Sequence, residues 1–208
     1  MDNPWKHISL SDYENHMSLG SVLQLQALNS MMKEQLDSFE ADSVMILGAA
    51  GGNGLEHVDS KKYHKVYAID INKEYLDELH HRLGDMDGVL ECICVDLTDE
   101  ALVLPHADAV VADLLIEYIG YECFCKVLKL VHPKYVSCGI QINTDNGFVS
   151  ESPYLHAFDG LESVHHQMDE NVLCMQLSSI GYESIGSFTN SLPNGKRLTR
   201  IDFKLAVH

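Results

Sequence analysis

The stretch "MILGAAGGNGLEH", residues 45–57, decides how the rest of the sequence is interpreted. It runs from an apolar segment into a turn that contains Gly48, Gly51, Gly52 and Gly54. A glycine-rich turn between a strand and a helix lets a ligand approach the backbone closely, and the free N–H groups at a helix N-terminus can bind its polar groups. The stretch therefore predicts the ligand-binding turn of an α/β fold.

Apolar segments alternate with helical patterns from residue 43 onward, which is typical of a parallel sheet with helices on both faces. The predicted strands are mostly apolar, as strands covered on both faces are. They span residues 43–48, 65–70, 88–95, 107–113 and 134–142. An apolar stripe predicts a helix over residues 73–83 that stops at Gly84, and a further helix is predicted over residues 115–131. We therefore expect a doubly wound α/β fold.

The C-terminal part of the sequence predicts an antiparallel hairpin. The turn "LPNG" at residues 192–195 separates two β-rich segments. In the second segment Ile201, Phe203 and Leu205 alternate with charged residues. The last strand is therefore predicted to have one apolar and one polar face.

The residues ahead of the first strand predict helices. Ser11 and Glu14 have the spacing of a capping box, and apolar residues recur at helical spacing over residues 22–36. We therefore divide the chain into an N-terminal helical extension, residues 1–42, and an α/β domain, residues 43–208. The extension is expected to pack on the sheet or to lie over its ligand-binding edge as a lid.

The composition is that of a globular protein of 208 residues, the size of one domain. A formal net charge of −17 disfavours nucleic acid as a partner, because such binding depends on lysine and arginine contacts to phosphate. The N-terminal sequence lacks the basic and apolar regions of a secretory signal, and carboxylates interrupt the longest apolar stretch. We expect a cytoplasmic protein that neither binds nor crosses a membrane.

Neither the 12 histidines nor the six cysteines predict a metal site. The adjacent pairs at 80–81 and 165–166 point apart on a helix, and the Cys-x-Cys pairs at 92–94 and 123–125 lack the spacing of a zinc site. The cysteines also lack the framework of a small disulfide-rich protein. We therefore expect no metal.

A carboxylate follows or ends each of three successive predicted strands: Asp70, Asp96 and Asp113. Because the carboxyl ends of parallel strands meet at one edge, these side chains are expected to lie close together. Asp70 is placed where a carboxylate accepts hydrogen bonds from the hydroxyl groups of an adenosine ribose. The repetition favours a nucleotide-like ligand over chance helix capping.

With these motifs the sequence resembles the class I S-adenosylmethionine-dependent methyltransferases. The motifs are "VMILGAAGGNG" (44–54), "VYAIDI" (66–71), "ECICVDL" (91–97) and "ADAVVADLLIEY" (107–118). The match covers roughly residues 43–206. The resemblance implies a seven-stranded, mostly parallel sheet with a C-terminal antiparallel hairpin, and S-adenosylmethionine as the methyl donor. The activity it implies is in-line methyl transfer to an acceptor, which we expect to be a small molecule.

The resemblance also implies which residues bind the donor: Gly48, Ala49, Ala50, Gly52, Asp70, Ile71, Asp96, Leu97 and Asp113. The glycine turn is expected to follow the methionine part. Asp70 is expected to bind the ribose, with Ile71 beside the adenine. Asp96 and Leu97 are expected to contact the adenine, whereas Asp113 opens the loop near the reactive methyl group.

Two positions depart from the family pattern. The family usually has an acidic residue two positions before the first glycine of the turn, and here that position is Ile46. The middle glycine of the turn is replaced by Ala50, which is the smallest change available. The methionine ammonium group therefore needs another acceptor, and a backbone carbonyl or Asp113 is available for this.

The acceptor is expected to lie beside the fourth strand end and under the N-terminal segment. The substrate-binding candidates are Tyr13, His16, Met17, Leu114 and Tyr118. Asp113, Glu117 and Tyr118 are the catalytic candidates for an acceptor that must lose a proton, with His16 as a further base. The polar loop at residues 143–154 is a second place for specificity, although packing and solvation alone also account for these segments.

Three alternatives share this architecture. A nicotinamide-dependent oxidoreductase fits the glycine spacing, but the sequence contains no Y-x-x-x-K motif of the short-chain type. A polyamine (aminopropyl) synthase fits the acidic charge and Ile46, but its usual N-terminal β-hairpin domain is not predicted. An inactive methyltransferase-like binding module is the third. The sequence is compatible with a monomer or a homodimer.

Overall fold

The computed structural model describes residues 3–86, 88–143 and 147–206. Its centre is a seven-stranded sheet with the order β3-β2-β1-β4-β5-β7-β6. The strands are β1 (Ser43–Leu47), β2 (Lys65–Asp70), β3 (Leu90–Cys94), β4 (Ala109–Asp113), β5 (Tyr135–Ile142), β6 (Tyr182–Ser191) and β7 (Arg197–Leu205). The first five strands are parallel, and β7 is antiparallel to both β5 and β6. This arrangement confirms the predicted fold class.

The strand order reverses between β1 and β4, so the chain leaves these neighbours in opposite directions and a crevice opens at their carboxyl ends. Helices flank the sheet. They are α1 (Leu10–Ser18), α2 (Gln24–Ser38), α3 (Lys73–Leu83), α4 (Ile116–Val131) and α5 (Glu170–Ser178). Single 3₁₀ segments occur at Pro4–Lys6, Leu55–His57 and Leu155–Ser163. None of the helices in the described residues combines the length and the apolar character of a membrane-spanning segment.

The helices after β2 and β4 follow the predictions from apolar periodicity. The helix α3 ends before Gly84, whose φ of 65° is accessible mainly to glycine. In α4, Gly120 has a φ of 74° and interrupts the helical backbone one turn after its start. The kink leaves the first turn of α4 at the carboxyl ends of the strands, where the candidate catalytic residues are located.

The predicted capping box at Ser11 and Glu14 is wrong. The N-cap of α1 is Ser9, whose Oγ accepts a hydrogen bond of 3.1 Å from the backbone N–H of Asp12. Ser11 therefore lies within the first turn, and the Glu14 side chain is free to bind Arg82 of α3. Two overlapping serine-based patterns were present in the sequence, and local spacing alone does not choose between them.

The polar face predicted for the last strand is not solvated, because α2 lies against it and Arg200 donates hydrogen bonds to Glu34 and Ser38 of that helix. Arg200 and Asp202 are both buried and form a two-pronged ion pair, with Nε donating to Oδ1 over 2.9 Å and Nη2 donating to Oδ2 over 2.6 Å. Ser137 of β5 donates a third hydrogen bond to Asp202. Buried charges are tolerated when they are paired and hydrogen-bonded in this way.

Candidate functional site

The glycine turn after β1 is held against the end of β2. The N–H groups of Gly48 and Ala49 both donate to the carbonyl of Ile69, at 2.9 and 3.0 Å. Ala50 has a φ of 45°, and its N–H donates to Oδ2 of Asp70 over 2.9 Å. The turn expected from the sequence is therefore formed, although a residue with a Cβ is strained at this positive φ.

Asp70 joins two loops. Its Oδ2 accepts from Ala50 in the glycine turn, and its Oδ1 accepts a hydrogen bond of 2.8 Å from the N–H of Asn72, the N-cap of α3. Burial raises the pKa of this carboxyl group. A carboxylate has about four acceptor positions, so Asp70 retains capacity to accept from a ligand as well.

The first cavity lies at the crevice between the strand ends and has a volume of about 670 Å³. The three carboxylates Asp70, Asp96 and Asp113 all line it, as the sequence predicted for successive strand ends. Seven other residues predicted from the sequence as donor-binding or substrate-binding also line this cavity: Tyr13, Gly48, Ala50, Ile71, Leu97, Leu114 and Tyr118. Aromatic rings close the opposite side: Trp5, Tyr13, Tyr75 and Tyr118. The cavity thus has a polar edge and an aromatic cover.

Asp96 lies two residues beyond the end of β3 and forms a local turn. Its Oδ1 accepts from the backbone N–H of Thr98 over 2.9 Å and from the Thr98 hydroxyl over 2.6 Å. The next residue, Leu97, is buried and contributes an apolar wall. This part of the cavity can accept a ligand that is flat and apolar with polar groups at its edge.

Asp113 has one satisfied and one unsatisfied oxygen. Its Oδ1 accepts a hydrogen bond of 2.8 Å from Nε2 of Gln35 in α2, whereas its Oδ2 is buried and has no hydrogen-bond partner among the described residues. Burial raises the pKa of Asp113 to about 6. An unpartnered buried carboxylate oxygen is costly, which makes this atom a candidate for binding a cationic group.

The turn cavity, of about 530 Å³, continues from the first cavity between the glycine turn and helices α1 and α2. Ala49 and Ile46 line it together with Asp113 and Glu14. Glu14 already binds Arg82 with two hydrogen bonds of 2.5 and 3.0 Å. Of the two acidic residues in this cavity, Asp113 is the one with an oxygen left for a ligand.

The second cavity, of about 510 Å³, lies next to the first and shares Trp5, Tyr13, Leu114 and Tyr118 with it. All five predicted substrate-binding residues line the second cavity: Tyr13, His16, Met17, Leu114 and Tyr118. Glu117, in the first turn of α4, also lines it and is buried. Its Oε1 accepts a hydrogen bond of 2.9 Å from the N–H of Gln141, and its Oε2 has no partner among the described residues.

The N-terminal segment, residues 3–18, covers both cavities and is tied to α3. The carbonyl of Trp5 accepts from Asn72 over 2.9 Å, the Tyr75 hydroxyl donates to the carbonyl of Ile8 over 2.9 Å, and Glu14 binds Arg82. The Trp5 ring packs edge-on against Tyr118, with ring centroids 4.9 Å apart. These contacts place the segment where a lid would lie.

One predicted site residue lies outside these cavities, and several residues that line them were not singled out from the sequence. Gly52 lines none of the three cavities; a Cβ at this position would lie 2.9 Å from Leu79 of α3, so Gly52 allows close packing there. The residues that were missed are Trp5, Gln35, Tyr75, Gln141, Phe158 and His165. The single tryptophan was a signal for Trp5, whereas the glutamines carry no local pattern that marks them as buried. Residues 144–146 of the predicted specificity loop lie outside the described residues.

Metal ligands do not cluster in the part of the chain that the structure describes: no group of three or more His, Cys, Asp or Glu side chains is arranged to hold an ion. His16 instead binds the Ser152 hydroxyl through Nδ1 over 2.8 Å, and His165 stacks on Phe148. The histidines near the second cavity therefore have structural partners.

Comparison with known proteins identifies the fold. No protein-family model and no curated protein sequence matches this chain. Solved structures do match. Magnesium protoporphyrin IX methyltransferase (ChlM) from Synechocystis PCC 6803 with bound SAH superposes with a TM-score of 0.70 at 12% identity, over 97% of this chain and 96% of that one. The N-methyltransferase NodS from Bradyrhizobium japonicum WM9, in complex with S-adenosyl-L-homocysteine, gives 0.68 at 12%, over 99% and 100%.

A third similar structure is the [4+2]-cyclase SpnF, with a TM-score of 0.65 at 10% identity, over 90% of this chain and 84% of that one. At these identities the similarity establishes the fold, which is that of the class I S-adenosylmethionine-dependent methyltransferases. The fold alone does not name the reaction, since the same architecture carries a cyclase. The reaction has to be argued from the site.

Proposed function

We propose that this protein is an S-adenosylmethionine-dependent methyltransferase that acts on a small molecule. The observation that supports this most strongly is the meeting of the glycine turn with Asp70, Asp96 and Asp113 in one cavity at the reversal point of the sheet. Similar structures were crystallised with S-adenosylhomocysteine, the product of the proposed donor. The crevice at this point is where ligands bind in open α/β sheets.

The residues present fit the donor. In the proposed arrangement Asp70 accepts hydrogen bonds from the ribose hydroxyls, and Asp96 and Leu97 contact the adenine. The amino acid part extends toward the turn cavity, where Oδ2 of Asp113 accepts from the ammonium group. This oxygen substitutes for the acidic side chain that the family usually has at position 46, where Ile46 is packed into the core under α2.

The chemistry that the bound donor supplies is a methyl group on a sulfonium, which is already a good leaving group. The protein's task is then alignment and exclusion of water, and this is what the aromatic cover over the strand ends is suited to do. Leu114 and Tyr118 line both the first and the second cavity, so a donor and an acceptor would meet between them. Glu117 is the group in the second cavity that can take a proton from the acceptor.

A calorimetric titration series tests the proposal. S-adenosylmethionine and S-adenosylhomocysteine are expected to bind, whereas NADH is not. Binding of decarboxylated S-adenosylmethionine alone would instead indicate aminopropyl transfer, and binding of NADH alone an oxidoreductase. Binding of S-adenosylmethionine and S-adenosylhomocysteine, with no methyl transfer to any acceptor, would instead favour the inactive binding module.

The placement of the ribose is tested separately with Asp70→Ala. Loss of an acceptor for two hydroxyl groups is expected to cost about 2 kcal/mol, or roughly 30-fold in affinity for S-adenosylhomocysteine. Asp77→Ala is the matched control, because Asp77 lies on the neighbouring α3 and pairs with Lys73 on the exposed surface. Unchanged affinity in a folded Asp70→Ala protein would show that the ribose lies elsewhere.

A further inference from the structure

The second cavity contains a buried carboxylate that the rest of the protein does not neutralise. Glu117 is 3% exposed, and its Oε2 is a buried acceptor with no hydrogen-bond partner among the described residues. The neighbouring amide of Gln141 is not available to it, because Gln141 Nε2 donates to Asn143 over 2.6 Å and to the carbonyl of Phe148 over 2.8 Å. The free oxygen is therefore a site at which a ligand can donate.

The charges around this cavity favour a cation. Its lining contains no lysine or arginine among the described residues, and Glu117 is its one acidic member. Lys196 lies near, but its ammonium group donates to Asn143 and to the carbonyl of Gly147. Burial lowers the pKa values of His16 and His165, so both are neutral near pH 7. Glu117 is therefore the acidic group that a cationic ligand would meet in this cavity, and the formal net charge of −17 on the whole chain also favours a cation.

The walls of the cavity are aromatic. Seven rings line it: Trp5, Tyr13, His16, Tyr118, Phe148, Phe158 and His165. Rings of this kind bind flat apolar groups by stacking, and their faces attract cations. The cavity is concave and partly open to solvent, which is suitable for a small molecule rather than for a polypeptide chain.

We propose that the second cavity binds an arylalkylamine as the methyl acceptor, with the amine nitrogen at Oε2 of Glu117 and the ring among the aromatic side chains. This inference rests on the proposed methyltransferase function. Binding of the amine to the cavity does not require the donor, so the two proposals can fail separately.

Glu117 then has two tasks in the reaction. Its carboxylate first binds the protonated amine and takes one proton from it, which frees the nitrogen lone pair. That lone pair forms the new bond to the methyl carbon while the bond from carbon to sulfur breaks, and the sulfonium becomes a neutral thioether. The charge is balanced because the positive charge passes from sulfur to nitrogen. The proton held by Glu117 then passes to solvent, which regenerates the carboxylate, and the product leaves as the protonated secondary amine.

The experiment compares amines with matched acids and alcohols. Calorimetry is carried out with 2-phenylethylamine, tryptamine and histamine, and with 3-phenylpropionate and 2-phenylethanol as the anionic and neutral counterparts of the first. Each is titrated into the full chain alone and in the presence of S-adenosylhomocysteine. At least one amine is expected to bind 10-fold or more tightly than 3-phenylpropionate. Absence of binding by all three amines, or tighter binding of the acid, overturns the proposal.

Glu117→Gln is the test of the residue. The amide can still accept from the N–H of Gln141 and keeps the shape of the side chain, but it cannot be negatively charged. Affinity for the bound amine is expected to fall at least 10-fold, and affinity for S-adenosylhomocysteine to stay the same. The control is Glu122→Gln on the same helix, where Glu122 is 87% exposed and pairs with Lys126 at 3.1 Å. Equal amine affinity in Glu117→Gln and wild type overturns the assignment.

The two proposals are separated by the same titrations. Binding of S-adenosylhomocysteine without any amine would leave the methyltransferase proposal standing and remove the arylalkylamine. Suppose instead that an amine binds in a way that depends on Glu117, and that neither S-adenosylmethionine nor S-adenosylhomocysteine binds. The amine site would then stand, and the methyltransferase proposal would be removed.

Discussion

Gln35 of α2 donates a hydrogen bond of 2.8 Å to Oδ1 of Asp113 at the end of β4, and the same amide nitrogen lies 3.0 Å from the hydroxyl of Ser137 on β5. A helix ahead of the first strand thus fixes the orientation of the carboxylate at the centre of the crevice. Ser137 in turn donates to Asp202, the partner of Arg200. The free oxygen of Asp113 is therefore held in place by a buried network that crosses the sheet.

Asp113→Asn is expected to weaken binding of S-adenosylhomocysteine by about 2 kcal/mol, or roughly 30-fold, because a charged acceptor for its ammonium group is lost. Asparagine keeps the acceptor for Gln35. Binding of 5′-methylthioadenosine, which has no ammonium group, is the internal control and is expected to stay within 2-fold of wild type. Equal losses for both ligands would place the ammonium group away from Asp113.

Glu117 makes the folded protein less stable as the pH rises. Burial raises its pKa to about 7, above the ordinary value of 4.5, and the charge of nearby Asp113 contributes in the same direction. The folded state therefore binds the proton more tightly than the unfolded state does. The stability that this provides is complete below about pH 4.5 and is lost as the pH rises through 7.

Glu117→Gln removes this titration. Between pH 5 and pH 8 the free energy of unfolding of the wild type is expected to fall relative to that of the variant, by an amount on the order of 1 to 3 kcal/mol. Urea unfolding at the two pH values measures the difference. Other titratable groups near Glu117 are the same in both proteins and do not contribute to the difference: Asp113, Tyr118, His16 and His165. A constant stability difference across this pH range would show that Glu117 is charged throughout.

The N-terminal segment is predicted to act as a lid that is held partly by Glu14 and Arg82. Arg82→Met is expected to lower global stability by less than about 1 kcal/mol, since the pair is partly exposed, but to accelerate ligand dissociation several-fold. Trp5 is the single tryptophan and lines both cavities, so its fluorescence reports the motion. Stopped-flow measurement with S-adenosylhomocysteine gives the rate, and Lys73→Met, which removes an exposed pair on α3, is the control. Identical dissociation rates in the two variants would contradict a lid held at Arg82.

The glycine turn is predicted to tolerate no side chain at Gly54. Its φ is 89°, and a Cβ would lie 2.6 Å from the Cβ of Met32 in α2. Gly54→Ala is therefore expected to destabilise the protein by about 2 to 3 kcal/mol, from backbone strain and overpacking together. Gly20→Ala is the control, because nothing lies within 4 Å of a Cβ there and the residue is exposed. Similar unfolding midpoints in urea for both variants would show that the turn can rearrange.

Local patterns in the sequence were sufficient to predict the α/β architecture. Apolar runs, glycine positions and a polar turn before the last strand predicted the strands β1 to β5 and the C-terminal hairpin, because burial on both faces and tight turns each demand particular residues. The placement of Asp70, Asp96 and Asp113 at one edge also followed, since parallel strands deliver their carboxyl ends to the same side.

Only the tertiary structure decided how polar residues were paired. Arg200 and Asp202 were expected on a polar face, yet α2 lies against that face and the two residues neutralise each other. The helix start at Ser9 rather than Ser11 depended on where α1 could pack, and it left Glu14 to bind Arg82. The sequence by itself therefore determined the sheet, the glycine turn and the placement of three carboxylates at the strand ends. All of these depend on near neighbours in the chain. The second cavity, and the unpartnered oxygens of Glu117 and Asp113, depend on contacts between residues far apart in sequence, and such contacts leave no local periodicity.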